Sequence, residues 1–191
     1  MPVGGLCMAT LEMIRQARIA LHQLVMDRWL TKDVFSFRWL GMLGFIIISY
    51  VICLILLDKK RLSKILLFGS LLTVGMVAYE TVGVSFALWY CATPILPIIP
   101  CIFASDLTII PLYYMLVYQY TSSWKQFCIW NAITAATIAF VFQPIVVYFG
   151  IFELDNWHYI YTFFMVFAIA SLARAVTQGI IRTEKKHLKT H

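Results

Sequence analysis

Residues 126–152 read QFCIWNAITAATIAFVFQPIVVYFGIF, 27 consecutive positions without an Asp, Glu, Lys or Arg. A helix rises about 1.5 Å per residue, so roughly 20 apolar residues cross the hydrocarbon of a bilayer, and this stretch is long enough to do so. Two more uncharged runs precede it, 19 residues at 39–57 and 25 at 81–105. The chain has 191 residues, 62% hydrophobic and 13% charged, with a mean hydropathy of +0.84. Soluble domains average roughly 45–50% apolar and about 25% charged, and a chain of this length cannot hide three such runs in one soluble core. The sequence therefore predicts an all-α polytopic transmembrane helical bundle.

Five spans are expected, at about 39–57, 65–86, 100–120, 127–149 and 159–181. Trp39, Trp89, Tyr90, Tyr120, Trp124, Trp157 and Tyr159 fall at their ends, where amphipathic rings sit at headgroup level. The chain then divides into an N-terminal amphipathic interfacial helix (1–38), the bundle (39–181) and a basic cytoplasmic tail (182–191). The loop at 58–64 holds four basic residues, 121–126 holds Lys125, and the loops at 89–99 and 150–158 hold none. The positive-inside rule puts the basic loops and the C-terminus in the cytoplasm and, with five spans, the N-terminus outside. A re-entrant segment near Pro94, Pro97 and Pro100 would return the N-terminus to the cytoplasm.

Within residues 11–30, Met13, Ile14, Ala17, Ala20, Leu21, Leu24 and Val25 share one helical face, and Glu12, Arg15, Arg18, His22 and Asp27 the other. Such a helix lies on the membrane, as an anchor into the first span or as a partner-binding or curvature-sensing element. Met1 to Thr10 lack the basic region and cleavage site of a removable signal peptide, so the spans are expected to do the targeting. Gly41, Gly44, Gly69, Gly75, Gly83 and the alanines at 132, 135, 136 and 139 allow close helix approach, within one bundle or at a dimer face. The net charge of +6 is juxtamembrane, which suits anionic lipid and excludes a nucleic-acid surface.

Ionisable side chains inside spans cost about 2.5–3.5 kcal/mol each on insertion scales. Glu80 and Asp106 each lie about six residues from the outer end of their span, and antiparallel counting puts Gln143 at the same depth. Three helices can thus build one polar site, with Tyr79, Tyr113 and Tyr114 as hydrogen-bonding partners. Pro111 cannot donate to the carbonyl of Leu107, nor Pro144 to that of Phe140, so free acceptors are expected beside the acids. Such an arrangement binds a cation or proton, and a carboxyl kept protonated beside its neighbour can act as a general acid. Equally, the acids can be neutral ties between helices. Asn131 and Arg174 lie toward the inner leaflet; Arg174 is expected to snorkel to lipid phosphates or to meet Asn131.

The outer loop at 150–158 carries Glu153, Asp155 and His158, an acidic patch on the same side as Glu80 and Asp106. One His beside two acids falls short of a metal site, and no metal or cofactor is expected. Cys91 and Cys101 flank the proline-rich loop and are placed for a disulfide if that face is oxidising; Cys53 and Cys128 read as small apolar residues. The sequence holds no phosphate-binding glycine loop, nucleophile triad or dinucleotide fingerprint.

The run Asp106-Leu-Thr-Ile-Ile-Pro111, then Tyr118-Gln119-Tyr120, Trp124-Lys125, Phe142-Gln143-Pro144, Gly150-Ile-Phe-Glu153, Trp157 and Tyr159-Ile-Tyr161 resembles the CBO-type multi-pass membrane proteins of spore-forming Firmicutes, a family without assigned activity. The likeness covers roughly Asp58 to Ala175. Gln143 stands where that family usually has an acid, and Thr162-Phe163-Phe164 where it has Ser-Phe-Pro. The resemblance implies a bacterial cytoplasmic membrane. Two functions compete: binding of a cation, proton or small amphiphile at the carboxylate level, or an interaction module, against intramembrane acid catalysis on a lipid or isoprenoid. Membrane lipids, a second copy or another membrane protein are the expected partners.

Overall fold

The computed structural model describes residues 3–101 and 104–188. Met1, Pro2, Ile102 and Phe103 (the last two inside the expected third span) and Lys189 of the basic tail lie outside them. The described chain is an all-α bundle with one short two-stranded antiparallel sheet, its strands far apart in sequence. Helices α1 (Val3–Arg28), α2 (Phe37–Leu56) and α3 (Leu62–Ser85) lead to strand β1 (Trp89–Cys91); α4 (Ile110–Tyr120), α5 (Trp124–Thr137) and α6 (Gln143–Tyr148) follow, then β2 (Phe152–Leu154) and α7 (Tyr159–Leu188).

Four helical stretches are long and apolar enough to cross a membrane: Phe37–Leu56, Lys59–Ser85, Trp124–Tyr148 and Tyr159–His187. Ile47, Ile48, Val51, Leu54 and Ile55 of α2 face outward uncovered, as lipid-facing side chains do. The helix expected at 100–120 is shorter. Residues 92–101 form an irregular loop, and the helix begins with a five-residue π-helical turn, Ser105–Ile109, before the eleven residues of α4.

α3 is the central helix, packed on α4 and α7, with α7 also covering α5. Ile65, Phe68, Leu72 and Met76 make it a buried stripe at helical spacing. Phe68 stacks on Tyr118 at 4.5 Å and meets Phe127 edge-on at 6.0 Å. The glycines set the closeness: a Cβ on Gly69 would lie 2.7 Å from the Met115 sulfur, and one on Gly75 would lie 2.5 Å from Ile169. Gly41 and Gly44 meet nothing within 4 Å.

Each end of the bundle is tied by polar contacts that the local sequence supplies. At one end, Gln119 Nε2 donates to Leu56 O (2.9 Å) while its Oε1 accepts from Asp58 N (2.8 Å), joining the end of α2 to the end of α4. The Ser123 and Gln126 side chains form a reciprocal capping box that starts α5. At the other end, β1 and β2 pair antiparallel with Tyr90 opposite Glu153. The 92–101 loop is pinned over that end by Trp29 Nε1 to Pro94 O (3.2 Å) and Trp39 Nε1 to Ile95 O (3.0 Å). The junction of α1 and α2 therefore sits at this cap end, and successive helices of the bundle alternate in direction. The apolar face of α1, including Met13 and Leu24, is not covered by the rest of the chain.

Candidate functional site

Glu80 lies one and a half turns before the end of α3, and it is buried. Two features of the chain put Trp89 beside it. After α3 the chain reverses through Ala87, at φ 51°, and the Trp89 ring lies flat over Gly83, where a Cβ would fall 1.9 Å from the indole. Only a glycine leaves that space. Trp89 Nε1 then donates to Glu80 Oε2 at 2.8 Å. Tyr79 and Trp157 enclose the pair, each with its ring centroid 5.0 Å from that of Trp89. The Tyr79 hydroxyl and Trp157 Nε1 share Thr162 Oγ1, at 3.5 and 2.9 Å.

Asp106 sits in the π-helical turn before α4, 2% exposed, with Oδ2 accepting from Ser105 Oγ at 2.7 Å. It is close enough to Glu80 for their charges to act on each other. Arg15 pairs with Glu12 and Arg28 with Asp33, and among the described residues no basic side chain forms an ion pair with either buried acid. A carboxylate in an apolar enclosure without one needs a proton or an incoming donor to offset its charge.

Both prolines expected to free a carbonyl are reached through π-helical turns. Ser105–Ile109 precedes Pro111, and Ile138–Phe142 precedes Pro144. The backbone absorbs each proline by widening the preceding turn, so that Ile110 N bonds Ser105 O and Gln143 N bonds Ile138 O. Gln143 thereby opens α6 with its side chain in the wall of the site. Its Oε1 is buried and has no hydrogen-bond partner.

Glu80, Asp106 and Gln143 border one cavity of about 1010 Å³, together with Tyr79 and Tyr113. Its walls are otherwise largely apolar: Met42 and Phe45 from α2, Ile110 from α4, and Trp130 and Ile138 from the α5 side. α2 packs on α4 and its leading turn but forms no packed interface with α5 or α6. The two walls approach at Phe45 and Phe142, ring centroids 6.1 Å apart. The cavity thus lies along α4 with its two acids and Gln143 at the cap end and a side gap between α2 and the α5–α6 wall.

Tyr114, Asn131 and Arg174 lie elsewhere. Tyr114, on the opposite side of α4 from Tyr113, donates to Asn131 Oδ1 at 2.8 Å. Asn131 in turn donates to Phe167 O and Ser171 Oγ, both at 3.0 Å, so the pair ties α4, α5 and α7 inside the core. Arg174 neither snorkels nor meets Asn131. It is 2% exposed, donates to Thr121 Oγ1 at 2.8 Å, and reaches the carbonyls of Thr121 and Ser123. Tyr118, Trp124 and Phe127 surround its guanidinium, the last at 4.4 Å from the ring centroid. These three aromatic faces offer a delocalised cation what lipid phosphate would have offered. Gln143 does line the cavity, yet its Oε1 is hydrogen-bonded to neither acid.

The outer patch does not converge on the cavity. Glu153 accepts from the Tyr90 hydroxyl across the sheet, Asp155 is held by its backbone N–H to Leu88 O at 3.0 Å, and the His158 ring packs on Tyr161. Among the described residues, no three His, Cys, Asp or Glu side chains are grouped to hold a metal ion. Sequence reasoning missed Trp89 and Thr162; the glycine at 83, six residues before a tryptophan, was the available signal. Compared with protein-family models, with curated proteins and with solved structures, the chain matches none.

Proposed function

We propose that this chain is a multi-pass protein of a bacterial cytoplasmic membrane that binds a small amphiphile, with its polar end at Glu80, Asp106 and Gln143 and its apolar part along α4. One observation carries the reading: a mostly apolar cavity of about 1010 Å³ has two buried acids at its cap end, together with a buried Gln143 Oε1 that has no partner. Ligand sites have this composition, and a bare cation or proton would not need the apolar length. Two acids without counter-ions and an empty acceptor ask for a ligand head that donates hydrogen bonds, such as a hydroxyl or ammonium. The side between α2 and the α5–α6 wall, where no interface is packed, is the way for such a molecule to enter from lipid. The basic loop at 58–64 and the basic end of α7 support a cap end outside the cell and a C-terminus in the cytoplasm.

A second reading has one observation of its own. The rings of Tyr79 and Trp89 lie beside the acids at the cavity end, where aromatic faces would stabilise a cation formed when Asp106 protonates an isoprenoid double bond.

The test is native mass spectrometry of the full chain from mixed-lipid nanodiscs, wild type against Asp106→Asn and Gln143→Leu, with lipid extracts of the expressing cells profiled in parallel. Retained amphiphile that falls at least tenfold in the folded variants supports binding. A new product made only by the wild type moves the assignment to catalysis. Equal retention by all three proteins overturns both.

A further inference from the structure

Two thiols sit at the same cap end, and neither belongs to the ligand-binding argument. Cys91 is the last residue of β1, fixed by its register opposite Phe152. Cys101 closes the 92–101 loop, its thiol near Ile98 O at 3.7 Å. The loop folds back so that Cys101 has Cys91 as its neighbour, and both residues border the cavity next to Glu80 and Asp106. Both are free cysteines here. Cys53 and Cys128 lie apart from this pair. Cys53 is buried in the core against Leu112 O, and Cys128 is on α5 near Arg174, at the opposite end.

We propose that Cys91 and Cys101 form a reversible intramolecular disulfide that fastens the 92–101 loop to the sheet over the cavity. The oxidant is an external organic disulfide. One cysteine, as thiolate, attacks a sulfur of that disulfide and displaces one thiolate from it. The second cysteine, giving up its proton, attacks the mixed disulfide and displaces the other. The two cysteines together lose two electrons and two protons, and the external disulfide becomes two thiols. The charged groups acting on Cys101 besides Cys91 are the carboxyls of Glu80 and Asp106, which do not stabilise a thiolate. A dithiol whose reduced form gains no such help makes a durable disulfide rather than an oxidising one. The loop meanwhile is held at Pro94 and Ile95 by Trp29 and Trp39, so its return path is set before the bond forms.

The experiment uses the purified full chain in nanodiscs, equilibrated with oxidised glutathione or with dithiothreitol, alkylated under denaturing conditions and mapped by mass spectrometry. The expected result is that oxidation protects Cys91 and Cys101 together, yields a peptide pair joined through them and lighter by two hydrogens, and leaves the protein monomeric. Cys91→Ser is expected to restore labelling of Cys101, and Cys101→Ser that of Cys91. Full labelling of both after oxidation overturns the proposal, as does a bond to another cysteine or a disulfide-linked dimer. Because the readout is the bond itself, the outcome stands whether or not an amphiphile is found in the cavity.

Discussion

Trp89 Nε1 lies 2.8 Å from Glu80 Oε2, both side chains buried, and this is the hydrogen bond that fastens the sheet to the central helix. Trp89→Phe keeps the ring and removes the donor. Leaving a buried acceptor unpaired costs about 1–3 kcal/mol, so a lower unfolding midpoint in detergent is expected. Glu80→Gln should cost less, because an amide oxygen still accepts from the indole. Equal losses in the two variants would show that the bond contributes little.

Gly83→Ala is expected to be harsher than its one added carbon suggests. A Cβ 1.9 Å from the indole cannot be accommodated by a small shift, so Trp89 must leave its place over α3. Overpacking of this kind costs about 1–3 kcal/mol, and loss of the Glu80 contact adds to it. A red shift of tryptophan emission together with a lower midpoint is the expected pair of signals. An unmoved spectrum would mean the sheet docks by other contacts.

Gln143→Leu separates stability from binding. The buried Oε1 has no partner, so its removal relieves about 1–3 kcal/mol of unmet desolvation, and the unfolding midpoint is expected to hold or rise. Retention of an amphiphile is expected to fall in the same protein. A marked loss of stability would show that the amide is a structural tie.

Arg174→Lys tests the aromatic enclosure. A guanidinium that served lipid phosphates would be replaced by an ammonium at little cost. Here the planar fork reaches Thr121 and Ser123 between three rings, and a lysine cannot reproduce it. Hydrogen bonds to charged groups are worth about 1.5–3 kcal/mol, and a loss of that order is expected in detergent, where no bilayer phosphates are available to compensate.

The sheet gives a pH dependence whose sign can be worked out. Tyr90 donates to the Glu153 carboxylate, and this bond, with slight desolvation and the charges of Glu153 and Asp155, raises its phenol above the ordinary value of 10.0. A group raised on folding stabilises the fold below its unfolded value, and that contribution disappears as pH rises through the folded value. The absorbance change lost on replacing Tyr90 with Phe should therefore be one that titrates late, and Glu153→Gln should bring that step back toward the ordinary range. No change in that variant would remove the cross-strand bond from the account.

Glu80, Asp106 and Gln143 were legible as one group because depth along antiparallel helices is simple arithmetic, and a polar residue inside an apolar span announces itself. The choice between Tyr113 and Tyr114 was not. Adjacent helical residues point about 100° apart, and which one faces the cavity depends on how α4 is turned by its packing on α3. The π-helical turns were invisible for a related reason. Pro111 and Pro144 mark a break in the hydrogen-bond ladder, but whether the chain leaves a carbonyl bare or widens the turn is settled by neighbours. Arg174 misled because its enclosing rings, Tyr118, Trp124 and Phe127, come from separate segments and meet only in three dimensions.

The placement of Arg174 also bears on the order in which the chain can be built. The arginine and the Phe167 and Ser171 groups that satisfy Asn131 all belong to α7, which leaves the ribosome after the segments that hold their partners, α4, α5 and the turn between them. Until α7 arrives, the amide of Asn131 lacks two of its bonds and the turn at 121–123 lacks its clamp. Synthesis stalled before α7 should thus yield a loose, protease-sensitive intermediate, and quality control has a natural moment at which to recognise it.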